Sequence, residues 1–291
     1  MTSVIIPTLN AAARLKDLLE ALDSQTHRPQ EVMVVDSSST DQTAACARAH
    51  GAAVITVARH AYDHGGTRTL AAREAAGDNL LFLTQDAMPA EPTCIETLLE
   101  VFVDDDVGAV YGRQLPAANA SLFARHLRQF NYPSRSHVYR YADKSRLGLR
   151  TAFLSNAFAA YRKKDLQQIG YFEEGLIFGE DMLAAACLLK AGKKIAYNAA
   201  ARVVHSHNYS MRGDFGRYFD MGVFHRTCPG LLKEFGSPGR EGLRYVKSEL
   251  AFLAEQRRYD LYAVCLMRVC AKYAGYQLGR HYRLLPAGCR R

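Results

Sequence analysis

Between residues 2 and 103 short apolar runs alternate with amphipathic stretches, and no other feature of the chain constrains its fold as much. Residues 2–6 read as a strand, 11–23 as a helix with Leu15, Leu18, Leu19 and Leu22 on one face, and 31–35 as a second strand. Ser38-Ser-Thr-Asp41 matches a capping box for a helix over about 40–50. A strand at 53–57, a helix at about 67–77, a strand ending at Asp86 and a helix at 93–103 complete the series. Such alternation predicts an α/β fold with a mostly parallel sheet covered by helices on both faces. After a short strand at 107–112 the rhythm loosens, and residues 116–150 read as an irregular, partly helical excursion of the kind that carries substrate contacts. Residues 152–161 and 194–204 are extended and apolar, with a helix at about 181–191 between them. From 212 onward the pattern is helical, broken near Pro229 and Ser237-Pro-Gly239. The expected organisation is an α/β domain over 1–212 and a helical extension over 213–291.

In such sheets ligand sites form beyond the carboxyl ends of strands, and here those ends carry acids. Asp36 closes Glu31-Val-Met-Val-Val-Asp36, Asp86 closes Asn79-Leu-Leu-Phe-Leu-Thr-Gln-Asp86, and Gly179-Glu180-Asp181 opens a helix. The pattern suggests a site for a nucleotide and a metal. Pro7, Thr8 and Asn10 in Ile5-Ile-Pro-Thr-Leu-Asn10 form either a strand–helix corner or a nucleotide-facing loop. Asp36, followed by Ser37-Ser38-Ser39-Thr40, offers only acceptors and suits the N3–H of a uracil or thymine ring. In His64-Gly-Gly-Thr-Arg68 the glycines permit close backbone approach to a ligand, and Arg68 supplies a fixed charge. Gln85 and Asp86 end their strand with one acid only, and a hard divalent cation bridging phosphates then needs a further ligand. His205-Ser-His207, after the strand-like Arg202-Val-Val204, supplies either His205 or His207. The aromatic approach to Glu180 and Asp181 suits a partly desolvated carboxylate acting as general base toward a sugar hydroxyl.

These elements, in this order, resemble the family 2 glycosyltransferases, nucleotide-sugar enzymes of GT-A fold, over roughly residues 2–210. Tyr111-Gly-Arg-Gln-Leu-Pro116, Ser155-Asn-Ala-Phe158, Ala160-Tyr-Arg162 and Val204-His-Ser-His-Asn-Tyr-Ser210 look like bacterial rhamnosyltransferases of surface-polysaccharide assembly. The resemblance implies inverting transfer of L-rhamnose from dTDP-β-L-rhamnose to a hydroxyl of a saccharide or lipid-linked saccharide, aided by Mg²⁺ or Mn²⁺. It implies that Pro7, Thr8, Asn10, Asp36, Ser38, Arg68, Gln85 and Asp86 bind the nucleotide-sugar. Asp86 with His205 or His207 would hold the metal, and Asp181, with Glu180 beside it, would be the base. Arg113 and Asn156 would contact the acceptor. The departure is Ala87, where the family's D-x-D motif has its second acid. UDP-hexoses and UDP-N-acetylhexosamines are the alternative donors, because an acid that binds the base does not see the sugar.

The net charge of +8 is uneven: residues 213–291 carry 14 Lys and Arg against 7 Asp and Glu, leaving +1 for the first 212. Leu243, Val246, Leu250, Leu253, Leu261, Val264, Met267 and Tyr273 recur there at helical spacings among basic residues. They suit either a helix packed on the core or an interfacial surface that docks on anionic lipid. A non-catalytic nucleic-acid-binding or membrane-binding protein is the rival reading; near neutrality of the α/β part and its acids at strand ends argue against nucleic acid. Seven cysteines without a C-x-x-C pair suggest reduced thiols and a cytoplasmic setting. No basic leader precedes the first strand, and no apolar run approaches the roughly 18 residues that span a bilayer. The expectation is a cytoplasmic protein, peripheral at the inner face of the membrane if the extension docks there.

Overall fold

Thr2–Thr8 (β1) is buried along almost its whole length, and a continuous apolar run of this kind belongs inside a sheet covered on both faces. The computed structural model describes residues 1–285 and puts β1 there, in a nine-stranded sheet. It is followed by Ala12–Asp23 (α1), Glu31–Asp36 (β2), Thr43–Ala49 (α2), Ala53–Thr56 (β3), His64–Glu74 (α3) and Asn79–Leu83 (β4). β1 pairs in parallel with β2 and β4, and β2 with β3, so Thr8 lies beside Asp36 and the loops after β1 and β2 share one edge.

The second half comprises Met88–Pro89 (β5), Cys94–Leu99 (α4), Val107–Leu115 (β6), Leu122–Asn131 (α5), His137–Tyr139 (β7) and Lys144–Leu147 (α6). Phe158–Arg162 (β8), Lys163–Gln168 (α7), Glu180–Lys190 (α8) and Lys194–Val204 (β9) follow. The order across the sheet is β3-β2-β1-β4-β8-β6-β9-β5, with β7 pairing β9. β8 runs antiparallel to both β4 and β6, β6 is parallel to β9, and β5 and β7 are antiparallel to β9. The α/β expectation holds, but three strands of the second half run against their neighbours: β8 against β4 and β6, and β5 and β7 against β9. The chain reaches β8 through the excursion at 116–157 rather than through one crossover helix, which parallel neighbours require. That excursion also shortens the expected strand at 152–161: a 3-10 turn runs to Ala152, an irregular segment follows to 157, and β8 starts at Phe158.

Apolar clusters fill both faces of the sheet. On one, Phe82, Tyr161 and Phe172 meet edge to face, with centroids 5.1–5.6 Å apart, beneath α8. On the other, Leu15, Leu18 and Leu22 of α1 pack with Ile95 and Leu98 of α4. Two helix starts differ from the sequence expectation. Ser38 does not cap α2; Asp41 accepts instead from the backbone N–H of Thr43 (3.0 Å) and of Ala12 (3.1 Å), which ties the starts of α2 and α1 together. α3 begins at His64, capped by Asp63 accepting from Gly66 N–H at 2.7 Å, so the two glycines lie inside its first turn. A Cβ on Gly65 would lie 1.8 Å from the Glu173 carbonyl oxygen, so its close approach is to the protein itself.

The extension comprises Met211–Thr227 (α9), Pro229–Phe235 (α10), Gly239–Glu255 (α11) and Tyr262–Arg280 (α12). Residues 286–291 of the expected extension lie outside the described residues. α9 and α12 press backbone to backbone through Gly222, Gly275 and Gly279. α11 covers α5, where the buried Glu249 accepts from Tyr245 OH (2.6 Å) and faces His126 Nδ1 at 3.6 Å. Asp214 of α9 pairs with Arg268 of α12 at 2.7 Å. Buried charges require such partners. No helix among the described residues is long and apolar enough to cross a membrane.

Candidate active site

Residues 84–89 fold back from β4 so that Met88 pairs with Val204, the last residue of β9. That pairing carries Asp86 to His205 and His207. Asp86 Oδ1 lies 3.4 Å from His205 Nε2, Asp86 Oδ2 3.4 Å from His207 Nε2, and the two Nε2 atoms 3.1 Å apart. One ligand atom from each residue can be chosen so that all three fall within 4.8 Å. Neighbouring ligands of an octahedral ion with bonds of about 2.1 Å are separated by roughly 3 Å, so this donor set fits a divalent cation. Both histidines, rather than one, reach the acid. Ala87 is fully buried in the apolar cluster below α1 and α4, where a second carboxylate would lack a partner. Burial tends to raise the Asp86 pKa, but hydrogen bonding and charge from His205, with His207, hold it well below the usual carboxylate range. Burial and the neighbouring His205 lower the His207 pKa and favour the neutral imidazole that metals bind.

A pair of carboxylates lies at the start of α8. Gly179 takes φ +81° in front of it, and a Cβ there would strike the Phe224 ring at 2.6 Å. Glu180 is buried, 3.1 Å from Arg68 Nη1 and 3.3 Å from Asn156 Nδ2. Asp181 is partly exposed, accepting at Oδ2 from Asn156 N–H (3.2 Å) and at Oδ1 from Met182 N–H (2.8 Å). Burial, reinforced by the like charge of Glu180, pushes its carboxyl up to about 7. A carboxylate poised near neutrality is suited to accept a proton from a hydroxyl.

Two residues expected at ligands have internal partners. Arg68 is buried, donating to the His64 carbonyl at 3.0 Å as well as meeting Glu180, because that buried carboxylate needs a counter-charge. Asn156, expected at the acceptor, is only 2% exposed and braces Glu180 and Asp181 while accepting from Tyr161 OH at 2.7 Å. Arg113 is partly exposed, and it is the next residue, Gln114, whose side chain reaches His205 Nδ1 at 2.9 Å. Gln114 also meets Arg128 and Ser155. No spacing rule singles out a lone glutamine near the end of a strand.

The loops after β1 and β2 interlock. Asp36 accepts from Ser39 N–H (3.0 Å), Ser39 OH and Thr8 OH (3.3 Å). Asn10, at φ +50°, accepts from Thr40 N–H at 2.9 Å, and Ser38, at φ +55°, donates to the Val57 carbonyl at 2.9 Å. Gln85 closes the ring by accepting from Leu9 N–H (2.8 Å) and donating to its carbonyl (3.2 Å). Pro7 lies in β1, level with Val35. Non-glycine residues at positive φ concentrate where structure serves a site. Beyond α3 a cleft of about 500 Å³ opens between His64, Phe178 and the first turns of α9, with Arg212 and Arg217 on its wall. Arg217 stacks on Phe178 and Tyr209, 5.2 and 5.6 Å from their centroids.

Glycosyl transferase family 2 matches residues 3–170. The O-antigen chain rhamnosyltransferase RfbN of Salmonella typhimurium is 43% identical over 286 residues, 98% of this chain and 91% of that protein. The O-antigen chain rhamnosyltransferase WbaN of Salmonella anatum is 42% identical over 98% of this chain and 90% of its own. Among solved structures, the mannosyltransferase PcManGT from Pyrobaculum calidifontis, in complex with GDP-Man and Mn²⁺, superposes with a TM-score of 0.62. It is 19% identical, with 97% of this chain and 82% of that one covered. S. aureus TarS 1–349 gives a TM-score of 0.57 at 17% identity, covering 97% and 91%.

Proposed function

The chain belongs to glycosyl transferase family 2, and from that premise we propose that it moves L-rhamnose from dTDP-β-L-rhamnose to a hydroxyl of a saccharide or lipid-linked saccharide, with inversion. Its enzymatic class is plain from the relatives: it is a glycosyltransferase, with a GT-A-like sheet and a helical extension. The observation that carries the choice of rhamnose is 43% identity to an O-antigen chain rhamnosyltransferase along 98% of the chain.

Each residue group has a part in this chemistry. The β1 and β2 loops, through Pro7, Thr8, Asn10, Asp36 and Ser38, receive the nucleotide. Asp36 has three of its roughly four acceptor positions filled from within, which leaves one for a pyrimidine N3–H. Gln85 fixes the β1 loop, and Arg68 holds Glu180 in place. Asp86, His205 and His207 hold a divalent cation, which when bound stabilises the charge developing on the departing diphosphate. Two imidazoles and one carboxylate suit Mn²⁺ better than Mg²⁺, which prefers oxygen ligands. Asp181 accepts the proton of the acceptor hydroxyl as its oxygen attacks the anomeric carbon, and Asn156 orients that carboxylate. Arg113 and the cleft beside α9 are offered to the acceptor.

The extension supports a peripheral position at the inner face of the membrane. α12 turns Arg268 and Lys272 inward and leaves Leu266, Met267, Cys270, Tyr273 and Leu278 on its outer face, with Met267 50% and Tyr273 66% exposed. A basic segment with an uncovered apolar stripe matches an anionic lipid surface.

The test is a thermal-shift screen of nucleotide-sugars with Mn²⁺. A donor at about 100 times its Kd stabilises by roughly 2.7 kcal/mol. dTDP-rhamnose is expected to raise Tm more than UDP-glucose or UDP-N-acetylglucosamine. A larger rise with either UDP-sugar would overturn the choice of donor.

A further inference from the structure

The two histidines of the metal corner are held differently. His207 is about 40% exposed at its side chain, with Nε2 turned to His205 and its ring against Tyr209. His205 is buried and held from behind: its Nδ1 lies 2.9 Å from Gln114 Oε1. The same oxygen accepts from Arg128 Nη1 at 2.6 Å, and at the other end of the amide Gln114 Nε2 donates to Ser155 Oγ at 3.1 Å. Gln114 and Arg128 are both at least nine-tenths buried.

Donor and acceptor roles fix the protons here. A guanidinium only donates, so the end of the Gln114 amide beside Arg128 is its oxygen. An amide oxygen only accepts, so the hydrogen between Gln114 and His205 is on Nδ1. In the neutral ring the lone pair of His205 is therefore on Nε2, facing Asp86; only the doubly protonated ring donates to that carboxylate.

We propose that Gln114 and Arg128 are positioning residues that set His205 as the Nδ1–H tautomer before any cation arrives. The inference rests on the metal role given above to Asp86, His205 and His207, and adds to it the reason one ligand is ready in advance. Gln114 also joins the two halves of the site: Ser155, which it holds, is followed by Asn156, which braces Glu180 and Asp181. Partners that orient a metal-binding histidine from behind are typically worth about 10- to 100-fold in metal affinity.

The test uses the full chain and Mn²⁺ alone, with free Mn²⁺ read by electron paramagnetic resonance. Gln114→Leu is expected to raise the Mn²⁺ Kd by about 10- to 100-fold. Gln114→Glu keeps an acceptor for Nδ1–H and a partner for Arg128, and is expected to restore near-parental affinity. Arg128→Met frees the amide to turn and is expected to weaken binding without touching a ligand. A folded Gln114→Leu protein that binds Mn²⁺ like the parent overturns the proposal. A second readout needs no variant: in the ¹⁵N-histidine-labelled parent without metal, long-range ¹H–¹⁵N correlations are expected to show His205 as Nδ1–H, and an Nε2–H signal would refute it. Asp86→Asn separates the two ideas. Unchanged Mn²⁺ affinity in that variant means the metal assignment has failed, while the tautomer signal still decides the role of Gln114.

Discussion

At Asp181 burial and the like charge of Glu180 act together, and the carboxyl titrates near 7 rather than near 4. A general base works only when ionised, so transfer at saturating donor and metal is expected to fall about tenfold per pH unit below that value. Glu180→Gln removes the like charge and is expected to move this acid limb to lower pH. Asp181→Asn is expected to cost about 10²–10⁴ in kcat while nucleotide binding persists. An acid limb that stays put in Glu180→Gln, or activity that survives Asp181→Asn, would show that another group takes the proton. Arg68 gives a separate test, since it neutralises a carboxylate shut away from water. Arg68→Met leaves Glu180 buried without its counter-charge and is expected to cost about 3–5 kcal/mol in denaturant unfolding, whereas adding Glu180→Met should recover most of that loss. If the double variant is no more stable than the single one, the pair is not the reason Arg68 is buried. Asp36, Asp86, Glu180, Asp181 and the H-x-H pair stood out in the sequence by their number and order at element ends, since a single acid there is often only a cap, as Asp41 and Asp63 are. Partners did not: the inward turn of Arg68 and the bracing by Asn156 and Gln114 depend on contacts between residues dozens of positions apart.

Among the elements, the first half of the sheet was the more legible, because continuous apolar runs and periodic helices carry their own signal. β9 was predicted at the residues it occupies, 194–204, and α8 to within one residue. The antiparallel insertion of β8 was not, since strand direction is decided by the long path that precedes it. The start of α3 was placed near residue 67 because glycine is a poor helix former, whereas Asp63 caps Gly65 and Gly66 into a helix. In the extension, the contact of α9 with α12 depends on glycine: a Cβ at Gly279 would sit 2.0 Å from the Phe219 carbonyl oxygen, and one at Gly275 2.4 Å from that of Phe215. Backbone oxygens cannot move aside as a flexible side chain can. Gly279→Ala is therefore expected to lower stability by about 1–3 kcal/mol by thermal or urea unfolding, while Gly230→Ala, with nothing within 4 Å, is expected to be near neutral. Equal Tm values for the two variants would contradict the close-packed interface.

For the molecule as a whole, charge and apolar surface are divided between its two parts: the sheet domain is nearly neutral, and the extension is basic with an uncovered stripe on α12. Flotation with phosphatidylglycerol-containing vesicles is expected to retain the protein at low salt and release it at high salt. A Met267→Glu, Tyr273→Glu double variant should lose retention with its fold intact; unchanged flotation would contradict membrane docking through α12. We propose that Asp86, His205 and His207, which meet beyond the ends of β4 and β9, receive a nucleotide-sugar through a divalent cation. Calorimetric titration of dTDP-rhamnose into the full chain tests it most directly. Binding is expected with Mn²⁺, to be lost with EDTA, and to be strongly weakened in Asp86→Asn. Equal binding in all three conditions, or none with Mn²⁺ for any nucleotide-sugar, would contradict the account.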